Sequence, residues 1–156
     1  MKVVDFLAPD AVIPALVGTN KADVLSEMAI FLAARLATPG AIDAQAFRRL
    51  LLEREQLATT AIGHGIAIPH AKLDGLPRMV GALGRSPTGL AFGSLDGKPT
   101  YLVFLLAVPA SSTTDHLKAL ARLSHLFHEA DVRQRLLAAP DGDSMYRTIA
   151  EEDAKL

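Results

Sequence analysis

The sequence predicts one α/β domain in three layers, a β-sheet covered by helices on both faces. Half of the 156 residues are apolar, enough for one well-filled core in a chain of ordinary domain length. Apolar residues recur at helical spacing toward both ends, whereas the middle breaks into short apolar runs punctuated by glycine and proline. One of those runs, residues 101–108, is apolar on both faces, as a central strand roofed by helices on each side must be. No repeat, low-complexity tract or Ser/Gly linker divides the chain, so residues 1–156 are expected to form a single domain.

The first ten residues are a short apolar stretch holding Asp5 and Pro9, without the basic start and long apolar run of a secretory signal. Export is not expected. Asn20, with Asp23 three residues on, starts a helix whose stripe is Val24, Leu25, Met28, Phe31, Leu32 and Leu36, ending before Pro39 and Gly40. Asp43 caps a second helix with Phe47, Leu50 and Leu51 as its stripe and Glu53, Arg54 and Glu55 in its last turns. Strands are expected at 59–62, 65–68, 79–84 and 101–108, with Gly63-His64-Gly65 as the turn between the first two and His64 a turn residue. The run of hydroxyls at 111–114, with Asp115, offers caps for a helix reaching about residue 129. Two shorter helices follow at 132–139 and 144–152, separated by Pro140 and Gly142.

Composition narrows the function classes. The formal net charge is -1 with both signs dispersed, so there is no long-range field for polyanions, and few aromatics are present for stacking bases. Nucleic acid is not an expected partner. The absence of cysteine removes disulfides, thiolate metal sites and cysteine nucleophiles, and suits a reducing cytoplasm. The longest apolar run, 101–110, is interrupted by Pro109 and falls far short of the ~20 residues that span a bilayer. Direct membrane insertion is therefore not expected. Gly97-Lys98 is followed by Pro99 rather than Ser or Thr, and no Gly-x-Gly-x-x-Gly occurs, so neither nucleotide fingerprint is present.

Three side chains could carry chemistry. His70 follows the segment Gly65-Ile66-Ala67-Ile68-Pro69, in which an apolar strand is halted by proline and an imidazole is presented at its end. Neutral imidazole is nucleophilic near neutral pH and can accept a phosphoryl group reversibly; the alternative is a turn histidine bonded to the backbone. Arg54 falls on the same helical face as Phe47, Leu50 and Leu51, which points its guanidinium inward. It either snorkels to solvent or forms a fork for phosphoryl oxygens. His116 opens the helix after Thr113 and Thr114 on the side of Leu120, Leu123 and Phe127, so it is either a core histidine or a group that stabilises an anion at the helix start. Lys118, Arg122, His125 and Glu129 fall on the solvated face, with His128 assigned there too. Helical geometry thus makes a three-histidine metal site poor.

The segment Arg54-Glu55, then Thr59-Thr60-Ala61-Ile62-Gly63-His64-Gly65-Ile66-Ala67-Ile68-Pro69-His70-Ala71-Lys72, resembles the type-2 enzyme IIA family of the bacterial phosphotransferase system, the fructose, mannitol and nitrogen-regulatory branch. The resemblance continues through Phe92-Gly93-Ser94-Leu95-Asp96-Gly97-Lys98-Pro99, the strand ending at Pro109, and His116-Leu117 with Leu120. Ala61 stands where glycine is common in relatives, and His64 where Asn or an acidic residue is frequent.

The resemblance implies a mixed sheet and a phosphohistidine at His70, on its epsilon nitrogen, with Arg54 and His116 as the family's arginine and second histidine. These two, with N–H groups near Thr114, would hold the phosphate. No cofactor is implied. The donor would be a histidine-phosphorylated HPr-like carrier. A nitrogen-type regulator binding targets such as potassium-transport proteins or sensor kinases is expected from the isolated domain. The alternatives are a fructose/mannitol-type sugar subunit passing the group to an EIIB, and a binding module of the same fold that no longer transfers.

Overall fold

The computed structural model describes residues 1–35 and 41–156. Leu36, Pro39 and Gly40, the expected end of the first helix, lie outside the described residues. In chain order the elements are a 3-10 turn at Val3–Asp5, β1 (Leu7–Ile13), α1 (Lys21–Ala34), α2 (Ala44–Leu57), β2 (Ala61–Gly63), β3 (Ile66–Ala67), β4 (His70–Leu73), β5 (Val80–Leu90), β6 (Thr100–Pro109), α3 (Asp115–His128), α4 (Ala130–Ala138) and α5 (Gly142–Asp153).

The sheet is mixed, with strand order β1-β5-β6-β3-β2 and β4 also paired to β6. β6 runs parallel to β3 and β4 and antiparallel to β5, while β1 and β5 are parallel. Alternation along β6 divides the core: Leu102, Phe104, Leu106 and Val108 pack with α3, α4 and α5, while Val103, Leu105 and Ala107 pack with α1 and α2. This period of two, buried on both faces, makes the three layers.

Two of the expected helix starts are formed by the expected side chains. Asn20 Oδ1 accepts the N–H of Asp23 at 2.9 Å, and Asp43 Oδ1 accepts those of Gln45 and Ala46 at 3.0 and 3.3 Å. The hydroxyl run before α3 does not cap it: Thr114 occupies the N-cap position without a side-chain cap bond. α5 is capped instead by Asp141, which accepts the N–H of Ser144 at 2.8 Å.

β1 and β4 are the strands not expected from the sequence. Among the described residues β1 pairs only with β5, its register shifts between Leu7 and Val12, and Pro9 lies inside that shift. An edge strand with a bulge tolerates proline and loses the clean alternation by which strands are recognised. β5 is also longer than expected, continuing past a register irregularity between Arg85 and Leu90.

Candidate functional site

β3 and β4 are one extended segment interrupted at Ile68 and Pro69. Ile66 lies opposite Leu102 and His70 opposite Leu106, so the register along β6 is unchanged across the gap. Proline has no N–H to give the ladder, yet its carbonyl still accepts the N–H of Leu106 at 2.9 Å. His70 therefore opens β4 rather than following a finished strand, and the central strand of the sheet fixes its position. The Gly63-His64-Gly65 turn joins β2 to β3 with all three residues at positive φ, 88°, 56° and 79°. His64 donates its backbone N–H to Asp96 Oδ2 at 3.1 Å, and its ring meets that of His128 edge-on at 6.0 Å. Backbone N–H donation, first from Lys98 and also from His64, holds the Asp96 carboxyl below the usual carboxylate range.

Alternation on β4 buries Ala71 and Leu73 against the α1/α2 layer and turns His70 and Lys72 the other way. His70, Lys72, Arg54 and His116 line one cavity of about 680 Å³, together with apolar side chains including Leu50 and Leu57. The three residues singled out in the sequence are thus brought together. Thr114 is not among them; it lines a neighbouring cavity of about 500 Å³ with Arg78 and Ser112.

The face of α2 differs from expectation. Phe47, Leu51 and Glu55 are buried, and Arg54 and Leu50 sit half-exposed at the margin. Arg54 does not point into the core: its Nη1 donates to the carbonyl of Ala58 at 2.8 Å, which holds it at the end of α2. On α3 the buried side chains are Ala119, Leu123, Leu126 and Phe127, with His116 half-buried at the rim. Its Nδ1 is buried without a hydrogen-bond partner among the described residues, leaving that nitrogen uncommitted. Arg122, expected on the solvated face, is instead bound to Asp153, Nε to Oδ1 at 2.6 Å. His125 and His128 are exposed as expected.

His70 has a defined tautomer. Its Nδ1 lies 2.9 Å from the carbonyl oxygen of Ile68, and a carbonyl only accepts, so Nδ1 carries the proton and Nε2 keeps the lone pair. Burial lowers the pKa of His70 below the ordinary 6.5, and the charges of Arg54 and His116 act in the same direction; the Ile68 bond and Glu55 oppose them. The ring is consequently neutral near pH 7, with one nitrogen free for attack. Lys72, whose Nζ donates to the carbonyl of Ser112 at 3.2 Å, adds a cation that the motif reading had left unassigned. Its signal was the strand period, two residues from His70. Among the described residues no group of three or more His, Asp or Glu converges to hold a metal, and no helix is long and apolar enough to cross a membrane.

Comparison with known proteins gives this arrangement a family context. The family model described as phosphoenolpyruvate-dependent sugar phosphotransferase system, EIIA 2, matches residues 5–152. A nitrogen regulatory protein of Bradyrhizobium diazoefficiens is 41% identical over 150 residues, covering 96% of this chain and 95% of that protein. The fructose-specific EIIABC component of the Bacillus subtilis phosphotransferase system is 36% identical over 155 residues, which cover 98% of this chain but 24% of that much longer protein. The crystal structure of nitrogen regulatory protein IIA-Ntr from Neisseria meningitidis superposes with a TM-score of 0.85 at 25% identity, covering 94% of this chain and 98% of the other.

Proposed function

The chain belongs to the EIIA 2 family of the phosphoenolpyruvate-dependent sugar phosphotransferase system, and on that premise we propose that it is a phosphoryl carrier in which Nε2 of His70 is the acceptor. The observation that carries this reading is the bond from Nδ1 to the Ile68 carbonyl, which leaves Nε2 with its lone pair in a cavity shared with Arg54 and His116.

The donor is a histidine-phosphorylated, HPr-like carrier protein. Nε2 attacks phosphorus in line, the new N–P bond forms as the donor's N–P bond breaks, and the electron pair of the broken bond returns to the donor imidazole. His70 keeps its Nδ1 proton throughout, and the Ile68 carbonyl stabilises the positive charge its ring acquires. Such transfer needs little covalent chemistry from the protein beyond positioning and neutralising the equatorial oxygens. Arg54 supplies a fork and His116, in the first turn of α3, a further donor.

The biological role follows the nitrogen regulatory relative, which this chain matches over almost its full length. The protein acts in the cytoplasm as a nitrogen-type regulator, binding targets such as potassium-transport proteins or sensor kinases according to its phosphorylation state. The fructose-specific relative favours a second reading, a sugar subunit that passes the group to an EIIB. Labelled carriers of the nitrogen and sugar branches, offered separately, discriminate the two; preference for the sugar carrier with onward transfer to an EIIB reverses the choice. His70→Ala is expected to abolish labelling in either case while the far-UV circular dichroism stays native, and labelling that survives shows that another residue is the acceptor.

A further inference from the structure

The transfer proposed above needs His70 in its Nδ1–H tautomer and Arg54 at the mouth of the same cavity. One side chain touches the segments that carry both. Glu55 follows Arg54 in the last turns of α2 and is only 8% exposed. Each of its carboxylate oxygens lies 3.2 Å from the backbone nitrogen of Thr60, and Oε1 also accepts the Thr60 hydroxyl. Oε2 receives Nζ of Lys21 from α1 at 3.0 Å. That ammonium rests over the ring of Phe92, 4.7 Å from its centroid. From Thr60 the path to the reactive ring is two hydrogen bonds long. The Thr60 carbonyl accepts the N–H of Ile68 at 3.0 Å, and the Ile68 carbonyl faces Nδ1 of His70.

A buried carboxylate is expensive unless its charge is paired and its oxygens accept hydrogen bonds, and an apolar residue of the same size often stabilises a fold equally well. Stability alone therefore gives little reason for a carboxylate here. Its placement gives a better one: it clamps the end of α2 to the residue that begins the chain of bonds to His70. We infer that Glu55 is a positioning residue for the transfer, locking the Thr60–Ile68 segment so that the Ile68 carbonyl holds His70 in the Nδ1–H tautomer while the same helix end presents Arg54. The inference rests on the phosphoryl-carrier reading. Its charge also favours the protonated ring of His70, against burial, Arg54 and His116, which preserves basicity at a nucleophile the others would weaken.

The test is the nitrogen NMR signature of the His70 ring, which requires no donor, combined with the rate of phosphoryl acceptance. In the wild-type protein, above the pKa of His70, Nδ1 should resonate as a protonated nitrogen and Nε2 as an unprotonated one. Glu55→Met should give mixed tautomers and acceptance about tenfold slower, a loss in keeping with small misplacements of reacting groups. Glu55→Gln, whose amide oxygen can still accept from Thr60, should restore the single tautomer and most of the rate. Should the methionine variant fail to fold, Glu55→Asp keeps the charge but draws the carboxylate back by one methylene, and mixed tautomers are again expected. A folded Met or Asp variant with the wild-type tautomer and rate overturns the inference. A wild-type protein that shows the single tautomer yet accepts nothing from either carrier defeats the carrier reading instead.

Discussion

In the proposed transfer, His70 keeps the proton through which its Nδ1 donates to the Ile68 carbonyl. Because the Ile68 carbonyl fixes that proton on Nδ1, the question at this residue is when Nε2 becomes protonated and loses its nucleophilicity. Burial first, then Arg54 and His116, hold the folded pKa below 6.5, so the neutral ring persists to lower pH than a free imidazole would. The acid limb of the phosphoryl-acceptance profile is therefore expected to have its midpoint below pH 6.5, and a midpoint at or above 6.5 would show that the site does not favour the neutral ring. The sign for stability is the same: the contribution is fully present above 6.5 and is lost as pH falls from 6.5 through the folded value. That His70, Arg54 and His116 meet in one cavity was legible from the motif around His70, whereas the helical angle of Arg54 misled, since its guanidinium turns to the Ala58 carbonyl at the helix end rather than inward. Glu55 was not legible, because its partners are a backbone N–H and hydroxyl five residues on and a lysine of another helix. Local spacing records none of these.

Among the elements, the hairpin that feeds β3 sets the register of the segment that carries His70. Gly65 has φ of 79°, and its carbonyl accepts the N–H groups of Tyr101 and Leu102 at 2.8 and 3.0 Å. A side chain there meets a backbone cost and, if branched, little room. The left-handed backbone disfavours any L-residue by about 1–2 kcal/mol, and a Cβ would already stand 3.4 Å from the Tyr101 ring. Gly65→Val, branched at that carbon, should destabilise the protein by at least about 2 kcal/mol, read from the urea midpoint; a shift near zero would mean that the turn relaxes without disturbing β6. The turn, α1, α2 and β6 were all readable in advance, since each announces itself by glycine, a capping side chain or unbroken apolarity. β1 was hidden by Pro9 and its bulge. The end of β3 was misplaced because proline breaks the ladder without breaking the register.

For the molecule as a whole, the cavity that holds His70 and the closure of the chain are separate pieces of physics. Arg54, His70 and His116 meet where α2, β4 and α3 converge, whereas Asp153, near the C-terminus of α5, ties the N-terminal turn to α3. Its Oδ2 accepts the N–H of Val3 at 2.7 Å and its Oδ1 the Nε of Arg122 at 2.6 Å, while its backbone carbonyl takes a second guanidinium nitrogen at 2.9 Å. The residue is only 1% exposed, so truncation leaves the buried N–H of Val3 without an acceptor and the partly buried guanidinium without its carboxylate, held only by the backbone carbonyl. Removing one partner of such a pair costs about 3–5 kcal/mol. Asp153→Ala should lower the urea midpoint by a corresponding amount, yet under folding conditions the His70 ring should keep its tautomer, because Asp153 does not line the cavity. A cost below about 1 kcal/mol, the scale of an exposed ion pair, would mean that the two chain ends are held by apolar packing instead. A changed tautomer in the folded variant would mean that the layers transmit strain from α5 to β4.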